Sequence, residues 1–352
     1  MATLKVNTLS GIGTEGPTLD GGLKFRTLNY MTLPKGDTTQ RGRGRGIISR
    51  GMTPSSSALT KIMQYIDMSS GGNSVDFGDG MDASYGSTAV SSSTRGITQP
   101  GATANSSPYS ITNRLDYVTI ATTASAQDFG DLLVQSQHKT GLSNQTRGIF
   151  AAGFLNTTQA MDKIEIATLG DATDFGDSIG ATYGNNQGGQ AGSTTRGLIA
   201  GGSSNSAPAE VEKIQFVTFS TLGDAQDFGD LVDQNGYFNT GASSQTRAVF
   251  AGGIDLDSPY ASTDRIQYVT IATTGDAIDF GDLTVTKYGQ MGMSSSTRGY
   301  FAGGVTIPGP TRQNIIDFIT ISTTGNAVDS GDLDITSVNS GAGISDSHGG
   351  VE

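Results

Sequence analysis

Cysteine and tryptophan are both absent from the 352-residue sequence. A chain without cysteine forms no disulfide, carries no thiolate nucleophile and offers no sulfur ligand to a metal. No stretch approaches the roughly 20 apolar residues that a membrane-spanning helix needs. The N-terminus MATLKVNTLSG also lacks the apolar core of a secretion signal. We therefore expect a protein that is made in the cytoplasm and does not insert into a membrane.

Positive charge is also scarce. The formal net charge is −12, with 33 acidic residues against 21 lysines and arginines. Proteins that bind nucleic acids usually present a basic face, so this balance argues against a nucleic-acid partner. Glycine is abundant instead, at 51 residues, and serine and threonine are frequent. That composition favours turns and β-strands over helices.

One short acidic motif recurs through the chain at intervals of 46 to 53 residues. It reads Asp-Phe-Gly-Asp in five copies and Asp-Ser-Gly-Asp in the sixth, and the copies begin at Asp76, Asp128, Asp174, Asp227, Asp279 and Asp329. A second marker, Thr-Arg-Gly or a close relative, keeps the same period, with its arginines at Arg45, Arg95, Arg147, Arg196, Arg247 and Arg298. Two markers with one period establish six repeated units.

Each unit predicts four short β-strands. In the fifth unit these are RAVFAGG (247–253), RIQYVTIATT (265–274), DAIDFGDL (276–283) and VTKYGQMGMSSST (285–297). Six such units fit a β-propeller, and no 3.6-residue periodicity supports a helical repeat. The predicted fold class is all-β: a six-bladed β-propeller with four-stranded blades over residues 41–352, preceded by an extended N-terminal arm over residues 1–40. We expect SDSHGG, near the C-terminus, to finish the last blade beside the first.

The acidic motif itself invites a functional interpretation. Asp-Phe-Gly occurs in the metal-binding loop of protein kinases, but the other kinase motifs are missing. A calcium loop has acidic residues at alternate positions, which this motif lacks. We therefore predict a structural role: Asp279 bonds nearby backbone amides, Phe280 packs between neighbouring blades, and Gly281 allows the turn. The second aspartate is expected to meet a Thr-Arg-Gly arginine.

Other motif matches do not predict a catalytic or binding site. GIGTEG (11–16) matches the dinucleotide fingerprint in letters only, because no helix can follow its proline and glycines. RGRGRG (41–46) resembles an RNA-binding tract but runs directly into the first repeat. His138 is isolated, and His348 stands where a terminal variant of the repeat would fall. The sequence predicts no catalytic residue, no cofactor and no metal site.

Residues 1–40 differ in kind from the repeats. They contain apolar side chains without a repeat partner, at Leu4, Val6, Leu9, Phe25, Leu28 and Leu33. Exposed together, these side chains would form an apolar surface that a soluble monomer rarely tolerates. We predict that they are buried against another chain.

The glycine pairs that follow apolar strands, such as Gly252-Gly253, resemble kelch repeats. More specifically, the whole chain resembles virion structural proteins of marine bacteriophages, of the cyanophage type. The likeness rests on LKVNTLSGIGTEGP (4–17), LPKGDTTQRGRGRG (33–46), repeats such as YVTIATTGDAIDFGDL (268–283) followed by SSSTRG, and the closing SDSHGG (345–350). The first repeat, RGIISRGMT, departs from the pattern because it lacks the glycine pair.

The resemblance implies a non-enzymatic component displayed on the tail or head of the virion, with a role as a fibre or adhesin in host attachment. Its expected partners are other virion proteins and copies of itself, through residues 1–40, and a glycan or protein of the host surface. Two alternatives stay open: a kelch-like interaction adaptor, and a carbohydrate-active propeller enzyme that uses an aspartate such as Asp162 or Asp264.

Overall fold

The computed structural model describes residues 32–33, 36–37, 44–53, 58–104, 110–153, 159–179, 182–183, 191–204, 212–232, 239–255, 261–334 and 339–351. The chain divides into two compact units, Met1–Arg41 and Gly42–Glu352. In the first unit, strand Thr32–Leu33 pairs antiparallel with strand Gly36–Asp37. Of the residues predicted to dock on another chain, Leu33 lies in the first of these strands, with its side chain not described, and the other five lie outside the described residues (Leu4, Val6, Leu9, Phe25, Leu28).

The second unit is the predicted six-bladed β-propeller, which confirms the fold class. Each blade is an antiparallel meander that runs from the ring axis to the rim. The inner strands are Thr88–Ser91, Thr140–Ser143, Thr240–Ser243, Met291–Ser294 and, in blade 1, Ala342–Ser345. In blade 4 the inner position belongs to residues 191–193, where Gly192 forms a single bridge with Gly197.

The other strands follow in chain order within each blade. The second strands are Arg45–Met52, Arg95–Gln99, Arg147–Ala151, Arg196–Ala200, Arg247–Ala251 and Arg298–Ala302. The third strands are Leu59–Asp67, Arg114–Thr119, Ala160–Glu165, Lys213–Thr218, Arg265–Thr270 and Ile315–Thr320. The outer strands are Val75–Ser84, Gln127–Asp131, Thr173–Asp177, Gln226–Asp230, Ile278–Asp282 and Val328–Asp332.

The assignment of strands to blades corrects the sequence-based one. Met291–Ser294 pairs with Arg298–Ala302, so the Gly- and Ser-rich strand is the inner strand of the following blade. The last such strand, Ala342–Ser345, pairs with Arg45–Met52. The C-terminus therefore completes the first blade and does not finish the last one, and this pairing closes the ring.

Apolar side chains fill the spaces between blades. Six clusters of buried residues each combine side chains from two neighbouring blades, one cluster for every interface in the ring. Between blades 5 and 6, for example, Val249 and Phe280 pack with Phe301 and Ile319. Burial of roughly 1.5–3 kcal/mol per large apolar side chain makes these interfaces the main source of stability.

A left-handed turn ends the second strands at the position of the glycine pair. Gly252 and Gly253 have φ angles of +61° and +115°. In blade 1, which lacks the pair, Arg50 and Gly51 adopt nearly the same angles, +61° and +119°. The first blade therefore keeps the turn of the other blades, although a side chain occupies a backbone conformation that favours glycine.

The two ends of the ring differ in their connections. At one end, here called the arginine face because the six repeat arginines begin their strands there, the inner and second strands are joined by three residues, as in 144–146. The third and outer strands are joined by seven, as in 166–172. At the opposite end, here called the loop face, the connections between second and third strands range from six residues (53–58) to fourteen (100–113).

Candidate functional site

The Asp-Phe-Gly-Asp motif lies in the outer strand of each blade, at a β-bulge. In blade 5, Ile266 opposes Gly281 while Gln267 opposes Asp279, so Phe280 is the extra residue of the bulge. Gly281 has φ +146°, and Phe280 is buried between blades 5 and 6. This is the packing and backbone conformation that the sequence predicts for these two residues.

The motif also bonds the next blade along the ring. From blade 6, the amides of Gly325 and Ala327 donate to the carbonyls of Phe280 and Asp282, at 2.8 and 2.7 Å. The amide of the second aspartate donates back to a side-chain oxygen of the next blade: Asp131 to Asp171, Asp177 to Asp224, Asp230 to Asp276, Asp282 to Asn326 and Asp332 to Asn73. The rim strands are thus capped by their neighbours, which protects them from pairing with other chains.

The first aspartate of the motif has a local role in one blade. At blade 6, the Oδ1 atom of Asp329 accepts the amide N–H of Gly331 at 2.9 Å, the turn bond that the sequence predicts. Blade 6 also carries Ser330 in place of the phenylalanine. There Tyr300, which is fully buried, stacks on Phe318 and donates its hydroxyl to the carbonyl of Met68, so it fills the place of the missing ring.

The repeat arginines tie each blade to the next, but not through the predicted partner. Each guanidinium donates to a backbone carbonyl just after the third strand of the next blade: Arg45 to Ile120, Arg95 to Ile166, Arg147 to Phe219, Arg196 to Ile271, Arg247 to Ile321 and Arg298 to Met68. The prediction that they bond an Asp-Phe-Gly-Asp segment is wrong. Each arginine is the first residue of its strand and reaches the end of the neighbouring third strand, whereas the acidic motif lies further out at the rim.

Five of these arginines also lie over an aromatic ring of their own blade. The rings belong to Tyr65, Tyr117, Phe216, Tyr268 and Phe318, with the closest approach 4.1 Å between Arg247 and Tyr268. Blade 3 has Lys163 at the ring position, and its Arg147 pairs with Glu165 instead. A cation above a ring and a charge-assisted hydrogen bond together hold each arginine between two blades.

We expect Arg247→Ala to lower the free energy of unfolding by about 2 kcal/mol, because it removes a charged hydrogen bond and a cation–π contact. Urea unfolding of the propeller measures this change. Lys61→Ala is the control: the Lys61–Asp79 pair is half exposed on both sides, so its loss should cost at most about 0.5 kcal/mol. Equal effects of the two substitutions would contradict a role for Arg247 in joining blades 5 and 6.

A capping residue precedes five of the six repeat arginines by three positions. Side-chain oxygens of Ser92, Asn144, Ser193, Ser244 and Ser295 accept the amide N–H of the arginine that follows. In blade 1 the cap comes from the other end of the chain, because Asp346 Oδ1 accepts the amides of Gly44 and Arg45 at 2.8 and 3.1 Å. Asp346 is thus a repeat residue that works across the ring closure.

Serine hydroxyls surround the ring axis at the last position of the inner strands. Ser91, Ser143, Ser243, Ser294 and Ser345 occupy this position, and several of them bond the backbone of the neighbouring inner strand. His348 lies among them: its Nε2 atom is 3.1 Å from the carbonyl oxygen of Ser91. The amide of Gly349 donates to the carbonyl of Ser243 at 3.0 Å. Residues 346–351, all buried, therefore plug the axis at the arginine face.

The plug was not predicted from the sequence, although a signal for it exists. Aligned on the inner strands, Asp346 takes the place of Ser295 and Gly349 that of Arg298. The terminal repeat thus keeps a capping residue at 346 but has glycine at 349, where the other repeats have arginine. This change indicates that the chain leaves the blade there and turns towards the ring axis. His348 has the structural position that the sequence suggests, and its ring contacts Ser91 of blade 2 and Ser143 of blade 3.

A second ring of polar side chains lies nearer the loop face, in the third strands. The position is aspartate or glutamine in every blade: Gln64, Asp116, Asp162, Gln215, Gln267 and Asp317. Five of the six accept a hydrogen bond from the preceding blade, donated by Asp334, Met81, Ile179, Val232 or Thr284. The three aspartates also pair with buried cations, Arg50, Lys139 and Lys287. Sequence reasoning missed this position, whose signal is that only aspartate or glutamine occurs there in the six repeats.

The aspartates considered for carbohydrate chemistry do not form a joint site. The carboxylate of Asp162 is 1 % exposed and faces Lys139. Asp264 uses its backbone carbonyl to accept the amide of Leu283. These two residues belong to the blade scaffold.

His138 is buried on the loop-face side of blade 3, with its ring edge against Tyr85 at a centroid distance of 5.8 Å. Burial lowers its pKa from 6.5 to about 4. Because the folded-state pKa is the lower one, the neutral ring contributes its full stability above pH 6.5, and this contribution is lost as the pH falls towards 4.

The variant His138→Asn removes this titration, and asparagine tolerates the φ of +56° at this position. We expect the wild type to lose about 2–3 kcal/mol more than the variant when the pH is lowered from neutral to about 4.5. Urea unfolding at the two pH values measures the difference. Parallel pH dependences of the two proteins would contradict the assigned pKa.

Shallow clefts open on the arginine face between neighbouring blades. One is lined by Thr194, Arg196, Gln245 and Ala272, and its equivalent one blade further is lined by the corresponding residues, including Arg247 and Thr297. Hydroxyl, amide and guanidinium groups give these clefts a polar lining. Among the residues that the structure describes, no three His, Asp or Glu side chains converge on a possible metal site.

Comparison with known proteins adds no relative. The sequence matches no protein-family model, and a search of curated proteins finds no match either. In the part of the chain described, no helix is long and apolar enough to cross a membrane. The roles of the repeat arginines and aspartates therefore rest on the geometry alone.

Proposed function

We propose that the protein is a structural component of a bacteriophage particle that displays a propeller on the virion surface. The end-to-end resemblance to marine phage virion proteins supports this proposal. It is supported also by the use of the repeated residues: the arginines and the Asp-Phe-Gly-Asp segments serve contacts between blades, and the serine caps serve turns within a blade. Such a ring is a rigid carrier whose sequence can vary where the blade contacts are not made.

The observation that carries the proposal is the difference between the two faces. On the arginine face, seven residues join the third and outer strands in every blade. On the loop face, the connections between the second and third strands range from six to fourteen residues. The chain enters the propeller at Gly44 on the arginine face, where Gly44 bonds Asp346. Residues 1–40 precede this point in the chain. We propose that they attach to other virion proteins or to copies of the chain, and that the loop face contacts a host glycan or protein.

Because the chain has no cysteine, single introduced cysteines report which face is accessible. Pro310→Cys lies on the loop face and Thr324→Cys on the arginine face of the same blade, and both positions are exposed. In the free protein both thiols should react with a maleimide. In purified particles the cysteine at 310 should react as before and the one at 324 should be protected. Absence of the chain from particles would overturn the proposed function, and equal labelling would overturn the orientation.

Removal of residues 1–40 tests the attachment. The truncated protein, residues 41–352, should fold and stay soluble because the ring closes through residues 342–346. We expect it to be missing from particles assembled in its presence, as measured by quantitative mass spectrometry against the full-length chain. Incorporation at the normal copy number would show that attachment runs through the blades.

A further inference from the structure

Among the described residues, three buried ion pairs each have a charged atom without a hydrogen bond, and the pair in blade 3 has the most such atoms. In blade 3 the Nζ atom of Lys139 lies 3.6 Å from Oδ2 of Asp162, and the two side chains are 0 % and 1 % exposed. Lys139 directly precedes the inner strand, and Asp162 lies in the third strand of the same blade. The contact therefore spans the second strand.

The comparable pair in blade 6 makes more bonds, although burial lowers the pKa of Lys287 as well. Lys287 Nζ lies 2.8 Å from Oδ2 of Asp317 and donates to the carbonyl of Phe301 at 3.1 Å. The hydroxyl of Thr284 donates to the other oxygen of Asp317 at 2.6 Å. These bonds offset part of the cost of burying the two charges.

Comparable bonds are missing in blade 3. Within the described residues, Lys139 Nζ and both carboxylate oxygens of Asp162 make no hydrogen bond of normal geometry. The backbone amide of Val134 lowers the pKa of Asp162, but burial raises it by more. Without such bonds, the free-energy cost of desolvating the two charges exceeds the gain from their mutual attraction.

The environment therefore favours the uncharged forms. Burial lowers the pKa of Lys139 and raises the pKa of Asp162, and each shift is opposed by the attraction of the partner's charge. A free amine is a nucleophile, which an ammonium ion is not, and a carboxylic acid has a leaving group that can depart as water. Because the fold holds the amine against the carboxyl group, their condensation is intramolecular. It is therefore faster than the same reaction between separate molecules in solution.

We infer that Lys139 and Asp162 form an intramolecular amide cross-link. The amine nitrogen adds to Cγ of Asp162, the new C–N bond replaces the C–OH bond, and the hydroxyl leaves with a proton from the amine as one water molecule. The step involves no change of oxidation state and needs no co-reactant. The product is a neutral amide that removes both buried charges from the interior of blade 3.

Asp174 affects the pair through its charge. It lies directly opposite Asp162 in the outer strand, its side chain is exposed, and its charge raises the pKa of Asp162. Asp174 therefore favours the uncharged acid that the condensation needs. We expect Asp174→Asn to slow cross-linking without preventing folding.

Intact-protein mass spectrometry tests the inference. The purified wild type should be lighter than its sequence mass by one water molecule, and protease digestion should release a branched peptide that joins Lys139 to Asp162. Lys139→Met and Asp162→Ala should each have the full sequence mass. The matched control Lys287→Met should keep the loss of water, because Lys139 is intact in it.

Two results would overturn the cross-link. One is a wild type with its full sequence mass; the other is a loss of water that persists in Lys139→Met, as a cyclised aspartate would give. If Lys139→Met does not fold, Lys139→Arg preserves the charge and the stem and should likewise restore the full mass. Thermal unfolding of each variant shows whether a folded ring was measured.

Discussion

Deleting residues 339–352 is expected to abolish the folded ring. This segment supplies the inner strand of blade 1, the cap on Gly44 and Arg45, and the plug on the axis. Its Ile344 is fully buried in the cluster between blades 1 and 2. At roughly 1.5–3 kcal/mol for each large apolar side chain and about 1 kcal/mol for each hydrogen bond, the loss exceeds the stability of an ordinary domain.

The deletion would also leave the strand Arg45–Met52 with an unpaired edge facing the axis. Circular dichroism and size-exclusion chromatography should show loss of the cooperative thermal transition and association of the chain. Addition of a peptide of residues 339–352 should restore the transition. The control is deletion of residues 1–40, which takes no contact from the ring closure. A truncated protein that unfolds cooperatively near the wild-type temperature would contradict this role of the C-terminus.

Much of the fold is predictable from the sequence because the repeat is regular. The two markers, Asp279 and Arg247 in blade 5, recur with one period, and a unit of about fifty residues is too short to fold alone. The alternation of apolar strands with glycine turns then indicates blades. Phe280 and Gly281 could be given roles because bulk and backbone freedom act locally.

The order of strands within a blade is harder to predict from the sequence. A repeat read from one sequence has no marked beginning, so the Gly- and Ser-rich strand 291–294 can be assigned to either neighbouring blade. Only the small residues Gly292 and Gly343, which fit the narrow space near the axis, indicate that this strand is the inner one. The C-terminal Ala342–Ser345 then has to complete blade 1.

The partner of each arginine could not be predicted, for a different reason. A sequence shows opposite charges at fixed spacing and so suggests an Arg–Asp pair, but backbone carbonyls are present everywhere and leave no signal. Arg247 selects the carbonyl of Ile321 because the neighbouring third strand ends beside it. Similarly, the buried cations Lys139 and Lys287 come from loops that do not repeat, so no period marks them.

The glycine of the acidic motif should be among the least replaceable residues in the propeller. A Cβ atom on Gly281 would lie 2.5 Å from the carbonyl carbon of Gly325 in the next blade, and the φ angle is +146°. We expect Gly281→Ala to lower the free energy of unfolding by about 3–5 kcal/mol, since backbone strain and overpacking each contribute 1–3 kcal/mol.

The partner glycine provides the control that separates these two causes. Gly325 has nearly the same φ, +152°, but an added Cβ atom would meet nothing within 4 Å. Gly325→Ala therefore carries backbone strain alone and should cost about 1–3 kcal/mol. Urea unfolding of both variants gives the difference, which measures how closely two blades approach at the bulge. If both substitutions cost the same, the inter-blade contact at Gly281 adds nothing, and the glycine is required only for its backbone conformation.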